Sequence, residues 1–244
     1  MLGLGSSIIT SGAPSEFLPN SVSGLQLWLA GSTSIIEDSD GTGVVQWTDQ
    51  SSNSNHATQP EANDSFQPVL DGGGVSFDGS NDFLTLGSEV SLNQFHIFLV
   101  LALDSHSTDT IFGEADAGDF LRFGQGGLNN SIRLQAQSEQ INFTSFTPVI
   151  STDGTKQLFD ISRAAGTTNN CTLTINGSEH GTAGSSNTSA NQFEIDAVGV
   201  RNTANRQHPM EGIIYEIIIY NSAISSADAS SVRNYLNSKF TIYS

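Results

Sequence analysis

The stretch Val75–Leu86, with the sequence VSFDGSNDFLTL, carries the clearest structural signal in the chain. Apolar and polar residues alternate on both sides of its centre, with Val75 and Phe77 before it and Leu84 and Leu86 after it. A period of two is typical of half-buried β-strands. The Asp-Gly and Ser-Asn-Asp at the centre are residue types that favour turns. The stretch therefore predicts two strands that are joined by a tight turn.

Strand signals recur along the chain on both sides of this stretch. Residues 97–103 and 213–220 are apolar almost throughout, which predicts central strands that are buried on both faces. Asn176-Gly177 after an alternating segment predicts a β-hairpin. Further strands are predicted at residues 25–29, 44–47, 119–123, 132–136, 156–161 and 172–175.

Only the C-terminal tail has a helical pattern. Ser225 followed by Asp228 resembles a capping box, and Val232, Leu236 and Phe240 then repeat every four residues. The sequence thus predicts an all-β domain with one short C-terminal helix.

The composition limits the partners of this domain. Its 244 residues are sufficient for one large β-domain. The net charge of −17, from 25 acidic and 8 basic residues, repels phosphate backbones and anionic lipid surfaces. No segment is apolar over the length that a bilayer requires. We therefore expect no nucleic-acid partner and no membrane insertion.

Three groups of residues fall in an order that is known for one superfamily. They are Gly24–Leu29 with Trp47–Ala57, then Phe77–Phe83, and finally Met210–Tyr220 followed by Ser225 and the helix. Together they resemble the laminin-G-like, concanavalin A-like jelly rolls, and the resemblance covers nearly all of the chain after residue 22. It implies an antiparallel two-sheet jelly-roll sandwich at residues 23–244, with the final strand returning near the first.

Residues 1–22 form an arm of small residues with isolated apolar groups. Such an arm cannot build a core of its own, so we expect a neighbouring subunit or partner to hold it. The Gly-Leu-Gly-Ser arm running into this domain also resembles virion structural proteins of tailed phages of marine bacteria and cyanobacteria. This second resemblance implies a place on the capsid or tail surface of a virion. Its partners would be copies of itself, other virion proteins and host-surface glycans.

The superfamily includes glucanases, so residues 193–199 were compared with their strand motif Glu-x-Asp-x-x-Glu. Glu194 and Asp196 match its first two acids, and on a regular strand they would project from the same face. Retaining hydrolysis needs a nucleophile and an acid/base carboxyl about 5 Å apart. The third position of the motif is Gly199, so one carboxylate role is unfilled. We therefore expect no catalytic residues and no enzymatic activity.

Two polar loops carry oxygen-bearing side chains that suit calcium. Asp49 with Asn53 is one candidate set, and Asp78 with Asn81 and Asp82 is the other. Asp and Asn are also the residues that tight turns require. We therefore expect no cofactor and no metal site, with calcium on one of these loops as the alternative.

A glycan site would use exposed aromatic rings and amide or carboxylate side chains. Trp28 and Trp47 are the largest aromatic residues, but both lie in strand patterns typical of core residues. Asn53, Asn55 and His56 lie on a long loop, where binding residues are often found. No cluster singles out a sugar site, so the glycan-binding residues stay unassigned.

In the predicted strand at residues 25–29, the alternation places Trp28 on the face opposite Leu25, Leu27 and Leu29.

These observations favour a non-enzymatic phage virion protein, either a capsid-surface decoration or a fibre component, that displays a lectin-like jelly roll. A free carbohydrate-binding lectin module is the alternative, and a glycoside hydrolase is a third hypothesis.

Overall fold

The computed structural model describes residues 16–31, 34–61, 63–105, 108–115, 118–124, 130–137, 139–144, 149–164, 170–183, 191–201 and 203–244. These residues form strands, two 3₁₀ turns at Pro19–Ser21 and Asp64–Phe66, and one α-helix, α1, at Ser226–Phe240. The expected all-β fold with a short C-terminal helix is confirmed. The strands are β1 Leu25–Ala30, β2 Ile35–Glu37, β3 Val44–Trp47, β4 Ala57–Thr58, β5 Val69–Asp71, β6 Gly74–Asp78, β7 Leu84–Leu92, β8 Phe95–Leu103, β9 Thr110–Gly113, β10 Phe120–Phe123, β11 Ser131–Ala136, β12 Glu139–Thr144, β13 Gln157–Arg163, β14 Cys171–Ile175, β15 Ser178–Ala183, β16 Phe193–Val198 and β17 Glu211–Tyr220.

One sheet has eight strands in the order β15-β14-β13-β8-β17-β6-β5, and β1 also pairs with β17. β17 is long enough to pair with two strands along one edge. Its residues 211–214 pair with β6, and its residues 216–220 pair with β1. The first strand therefore lies beside the last, as the resemblance implied. Every residue of β8 is buried, which confirms the predicted central strand.

The other sheet has nine strands in the order β12-β11-β10-β9-β16-β7-β4-β3-β2. All strand pairs in both sheets are antiparallel, as a jelly roll requires. The candidate site lies on the polar outer face of the nine-stranded sheet.

The turn after β6 carries the chain from one sheet to the other. β6 belongs to the eight-stranded sheet and β7 to the nine-stranded sheet, so these two strands are not neighbours. Val75, Phe77, Leu84 and Leu86 nevertheless all belong to the core between the sheets. Both halves of the Val75–Leu86 stretch therefore contribute to the same core, from opposite sheets.

β1 has an irregularity that changes one predicted orientation. Leu27 and Leu29 lie in the core between the sheets, and Trp28 lies on the outer face of the eight-stranded sheet, as the alternation predicts. Leu25, however, packs on the same side as Trp28. The prediction for Leu25 was wrong because the pairing register with β17 shifts between Leu25 and Leu27.

Helix α1 covers the outer face of the eight-stranded sheet. The Ser225 hydroxyl accepts a hydrogen bond from the Asp228 backbone N–H and donates one to Asp228 Oδ2, which confirms the capping box. Val232 and Leu236 are buried in a second apolar cluster, which also contains residues of β1, β8 and β17. No helix within the described ranges is long and apolar enough to cross a membrane.

Part of the predicted arm packs on this same face. Phe17 contacts Tyr235, with ring centres 6.4 Å apart, and the Tyr220 hydroxyl donates to the Pro19 carbonyl at 2.9 Å. Residues 16–22 thus belong structurally to the domain that follows them. Residues 1–15, the rest of the arm, lie outside the described residues.

Candidate functional site

The outer face of the nine-stranded sheet is where polar and charged side chains gather. Phe193 and Ile195 of β16 point into the core, which leaves Glu194 for the outer face. Val90 and Leu92 of β7 are likewise core residues, so the alternate residues Glu89 and Ser91 lie on the outer face. The α-helix of the described residues packs on the other sheet and leaves this face open.

Three glutamates from neighbouring strands of the sheet form a carboxylate cluster on this face. Glu114 follows β9 directly, Glu194 lies in β16 and Glu89 lies in β7, and these three strands are adjacent in the order β9-β16-β7. One carboxylate oxygen of each lies within 4.8 Å of those of the other two. Glu89 is exposed, and the other two are half-buried. The fold thus brings together three acids that are far apart in sequence.

Asp119, which is completely buried, fixes the position of two members of the cluster. Its Oδ2 accepts a hydrogen bond from the Glu194 backbone N–H at 2.7 Å, and its Oδ1 accepts one from the Gln137 backbone N–H. Its own backbone N–H donates to Glu114 Oε2 at 3.1 Å. The Ser91 hydroxyl donates to Glu194 Oε1 at 3.3 Å. Sequence reasoning missed Asp119 because its role depends on contacts across the strands.

The carboxylate cluster could act in two ways. Its oxygens could accept hydrogen bonds from the hydroxyls of a bound sugar. They could also supply three of the six to eight oxygen ligands of a calcium ion.

The acid pair that was considered for catalysis does not lie on a regular strand. The register of β16 against β7 shifts between Ile195 and Ala197, and Val198 is again a core residue. The alternation on which the same-face prediction rested is therefore interrupted at Asp196. Gly199 has a φ of +86°, and a Cβ there would lie 2.3 Å from a ring carbon of Phe77. A glutamate could not occupy this third position unless the Phe77 ring moved.

Asp49 and Asn53, the first calcium candidates, hold their own loop in place. Asp49 Oδ1 accepts from the backbone N–H groups of Trp28 and Ser51, each at 2.9 Å, and its Oδ2 accepts from the Asn55 N–H at 2.9 Å. The Asn53 side-chain amide donates to the Gln26 carbonyl at 2.8 Å. These oxygens and amides stabilise the loop against β1, which is the turn chemistry expected of them.

Asp78, Asn81 and Asp82, the second calcium candidates, stabilise the turn that crosses between the sheets. Asp78 Oδ1 accepts from the N–H groups of Ser80 at 2.8 Å and Asn81 at 3.2 Å. Asp82 Oδ2 accepts from the Asp78 N–H at 2.9 Å. Burial, together with the nearby charge of Asp78, raises the pKa of Asp82 to about 7. These carboxylates hold the backbone of their own turn, which is the role that turn chemistry gives to Asp and Asn.

The residues considered for glycan binding separate into core and loop. Trp28 and Trp47 are both buried, so neither is a platform for a sugar. Asn55 is also buried, and its side chain exchanges two hydrogen bonds with the Ser88 backbone, at 2.8 Å and 2.7 Å. His56 Nδ1 accepts from the Asp49 N–H at 3.1 Å. Asn53 alone among these candidates has an exposed side chain.

A groove of about 280 Å³ lies between this loop and β7. It is lined by Gln26, residues 53–55 and residues 87–91, which include Glu89 of the carboxylate cluster. The polar loop that the sequence singled out therefore adjoins the carboxylate cluster. The sequence could not show this proximity because it depends on the pairing of β4 with β7.

A second charged group, the arginine cluster, lies on the same sheet. It consists of Arg122 on β10, Arg133 on β11 and Arg201 after β16. The guanidinium groups of Arg122 and Arg201 lie 4.5 Å and 4.7 Å from the centre of the Phe120 ring. Burial, with the charges of Arg201 and Arg133, lowers the pKa of Arg122 to about 10.

No protein-family model matches the sequence, and a search of curated proteins finds no significant match. Solved structures do match, at low sequence identity. A Trypanosoma rangeli sialidase in complex with sialic acid aligns with a TM-score of 0.57 at 12% identity, over 89% of this chain and 33% of the sialidase chain. The binding domain of botulinum neurotoxin DC in complex with SialylT aligns with a TM-score of 0.53 at 13% identity, over 90% of this chain and 52% of the other.

Domain 4 of AbnA, an extracellular GH43 arabinanase from Geobacillus stearothermophilus, aligns over almost its whole length. This structure, in complex with arabinotriose, has a TM-score of 0.52 at 18% identity and is matched over 86% of this chain and 97% of its own. The sheet order and these matches together show the fold, a two-sheet antiparallel jelly-roll sandwich.

Proposed function

We propose that this protein is a non-enzymatic, lectin-like module that binds saccharides on the outer face of its nine-stranded sheet. The observation that carries the proposal is that this face holds both the carboxylate cluster and the arginine cluster, whereas α1 covers the outer face of the other sheet. Glu89 of the carboxylate cluster also lines the groove that reaches Gln26 of β1.

These groups suit the recognition of sugar hydroxyls. Carboxylate oxygens accept hydrogen bonds from hydroxyl groups, and guanidinium groups donate to hydroxyl oxygens. The bonds from Asp119 to the backbone and side chain of its neighbours fix Glu114 and Glu194 before a ligand arrives. Such preorganisation lowers the entropy cost of binding.

The fold supports the same proposal. The arabinanase domain and the sialidase, both jelly-roll matches, were solved in complex with a saccharide. We infer from this shared architecture that a saccharide is the ligand class to test first. Because their identity to this chain is at most 18%, these two proteins do not indicate which of its residues would bind a ligand.

A glycoside hydrolase is the second candidate function, and the spacing within the carboxylate cluster favours it. Carboxyl groups about 5 Å apart are the arrangement that retaining hydrolysis uses. Two observations favour binding instead: Gly199 stands where the motif requires a glutamate, and Phe77 fills the space beside it.

A screen of immobilised oligosaccharides tests the proposal directly. We expect binding to at least one saccharide, loss of that binding in the double variant Glu89→Gln/Glu114→Gln, and no release of reducing sugar. Glu179→Gln, an exposed acid on β15 of the other sheet, is the matched control and should bind like the wild type. Hydrolysis that is lost in Glu194→Gln would replace this proposal with the hydrolase.

We also propose that the module is displayed on a virion, where the arm joins it to copies of itself or to other virion proteins. The resemblance of the arm and the acidic composition support this placement. Since residues 16–22 pack on the domain itself, residues 1–15 are the segment to test. Deletion of residues 1–15 should abolish oligomers seen by light scattering or electron microscopy. A full-length protein that stays monomeric at high concentration would count against an assembly role.

A further inference from the structure

The arginine cluster contains a pair of like charges that face each other directly. Arg122 of β10 and Arg133 of β11 are register partners in adjacent antiparallel strands. The side chains of such partners start about 4.5–5.5 Å apart, and like charges at this position are destabilising. Arg201 adds a third positive charge beside the Phe120 ring that Arg122 also contacts.

Arg133 is the member that is best placed to meet a ligand. Its Nε donates to Asn142 Oδ1 at 2.7 Å, which fixes the guanidinium by its inner nitrogen. Among the described residues this is its one hydrogen bond, and it forms no ion pair with a carboxylate of those residues. Its terminal nitrogens therefore remain available for a ligand.

The overall charge of the protein makes this concentration of arginines unusual. The chain has only 8 basic residues and a net charge of −17, and three of the 8 form this cluster. His208 is close enough for the charges of Arg122 and Arg201, after burial, to lower its pKa. A planar guanidinium fork, such as the one that Arg133 presents, matches the two oxygens of a carboxylate or sulfate group.

We propose that the arginine cluster is a subsite for the acidic group of a saccharide, a carboxylate or a sulfate, and that Arg133 makes the direct contact. This inference rests on the proposed saccharide-binding function and adds the chemical class of the ligand. The long-range negative field of the protein repels anions, so the cluster provides local selectivity rather than general attraction.

The experiment uses matched oligosaccharides in neutral, carboxylated and sulfated forms. The full-length protein is screened against immobilised sets of each, and affinities are then measured by calorimetry. We expect an acidic form to bind more tightly than its neutral parent, and Arg133→Gln to weaken the acidic form by roughly tenfold to a hundredfold, because each charge-assisted hydrogen bond is strong. The neutral parent should lose less affinity than the acidic form in this variant, because a hydroxyl makes a weaker hydrogen bond to a guanidinium than an anion does.

Two further variants separate charge from geometry. Arg133→Lys keeps the charge but loses the fork, so it should retain part of the preference. Lys156→Gln removes one positive charge near Tyr215 and Phe240, on the other sheet, and should retain all of it.

Equal affinity for neutral and acidic forms would overturn this inference and leave the proposed function intact. Binding of no saccharide in any form would overturn both. An acidic preference that survives both Arg133→Gln and Arg201→Gln would place the acidic group elsewhere and would also overturn it.

Discussion

The two outer faces of the sandwich differ in the side chains that they carry. On the eight-stranded sheet, apolar residues such as Trp28, Phe98 and Ile218 are covered by α1. On the nine-stranded sheet, charged side chains face outward, and Arg122 and Arg133 are register partners in adjacent strands. The apolar face is buried against a helix, whereas the charged face offers groups that can bind a polar ligand. This difference is why we place the ligand there.

The largest expected difference between the faces concerns Glu216. This carboxylate is fully buried under α1 and accepts from Trp28 Nε1 at 2.8 Å, the Tyr235 hydroxyl at 3.0 Å and Lys239 Nζ at 2.7 Å. Glu216→Ala removes the acceptor of the buried Trp28 Nε1 and of the half-buried Tyr235 hydroxyl and breaks the ion pair with Lys239, so we expect a loss of about 3–5 kcal/mol in the free energy of unfolding. Urea denaturation measures it. Glu89→Ala on the open face should change that free energy by about 0.5 kcal/mol or less.

The turn that crosses between the sheets should make the free energy of unfolding depend on pH. Because the pKa of Asp82 is raised to about 7 in the fold, the folded protein holds a proton that the unfolded chain has lost. This contribution to stability is fully present below the unfolded pKa near 4 and is lost as pH rises through 7. We expect the loss to be about 2 kcal/mol once solvent screening is allowed for.

Urea titrations of wild type and Asp82→Asn at pH 4.5 and pH 8 measure this effect. The variant should lose less stability over this interval than the wild type. An identical pH dependence in the two proteins would contradict the assignment to Asp82.

The cap of α1 tests how firmly the helix covers its face. Ser225→Ala removes the hydroxyl that accepts from the Asp228 N–H, and loss of such a cap costs about 1 kcal/mol. Hydrogen exchange should then become faster in α1, while the strands of the nine-stranded sheet keep their protection. Equally faster exchange in both sheets would contradict this prediction, because it would show that the cap stabilises the whole domain and not α1 alone.

The smallest expected effect concerns the charge repulsion on the open face. Arg133→Gln removes one of two opposed positive charges, so stability should stay the same or rise by a few tenths of a kcal/mol. Lys156→Gln should instead lower it by about 0.5–1 kcal/mol, because Lys156 Nζ lies 4.2 Å from the centre of the Tyr215 ring. Thermal denaturation of the two variants in parallel makes the comparison. A large loss in Arg133→Gln would mean that the arginine serves the fold.

Local patterns in the sequence predicted those elements that local chemistry controls. The capping box at Ser225 and the buried strands β8 and β17 are confirmed. The hairpin at Asn176-Gly177 is also confirmed, with φ values of 49° and 77° at its two central residues.

What the sequence could not predict depends on contacts between distant strands. The Val75–Leu86 stretch shows two strands and a turn, but nothing local says that the strands enter different sheets. The carboxylate cluster exists only because β9, β16 and β7 are adjacent. The bulge at Leu25 depends in the same way on how β1 pairs with β17. A site whose residues come from strands that are distant in sequence cannot be predicted from the pattern within a single segment.

The shared edge of β17 has a consequence for the synthesis of this protein on the ribosome. β1 is synthesised well before its pairing partner, residues 216–220, so the pair between Leu25 and Tyr220 can form only after Tyr220 has been added. The apolar β8 also lacks one of its two neighbours until residues 212–220 have been made. Contacts between such distant residues slow folding, and the unpaired edges are open to wrong association in the meantime. The eight-stranded sheet can therefore close around β8 only once β17 has been made.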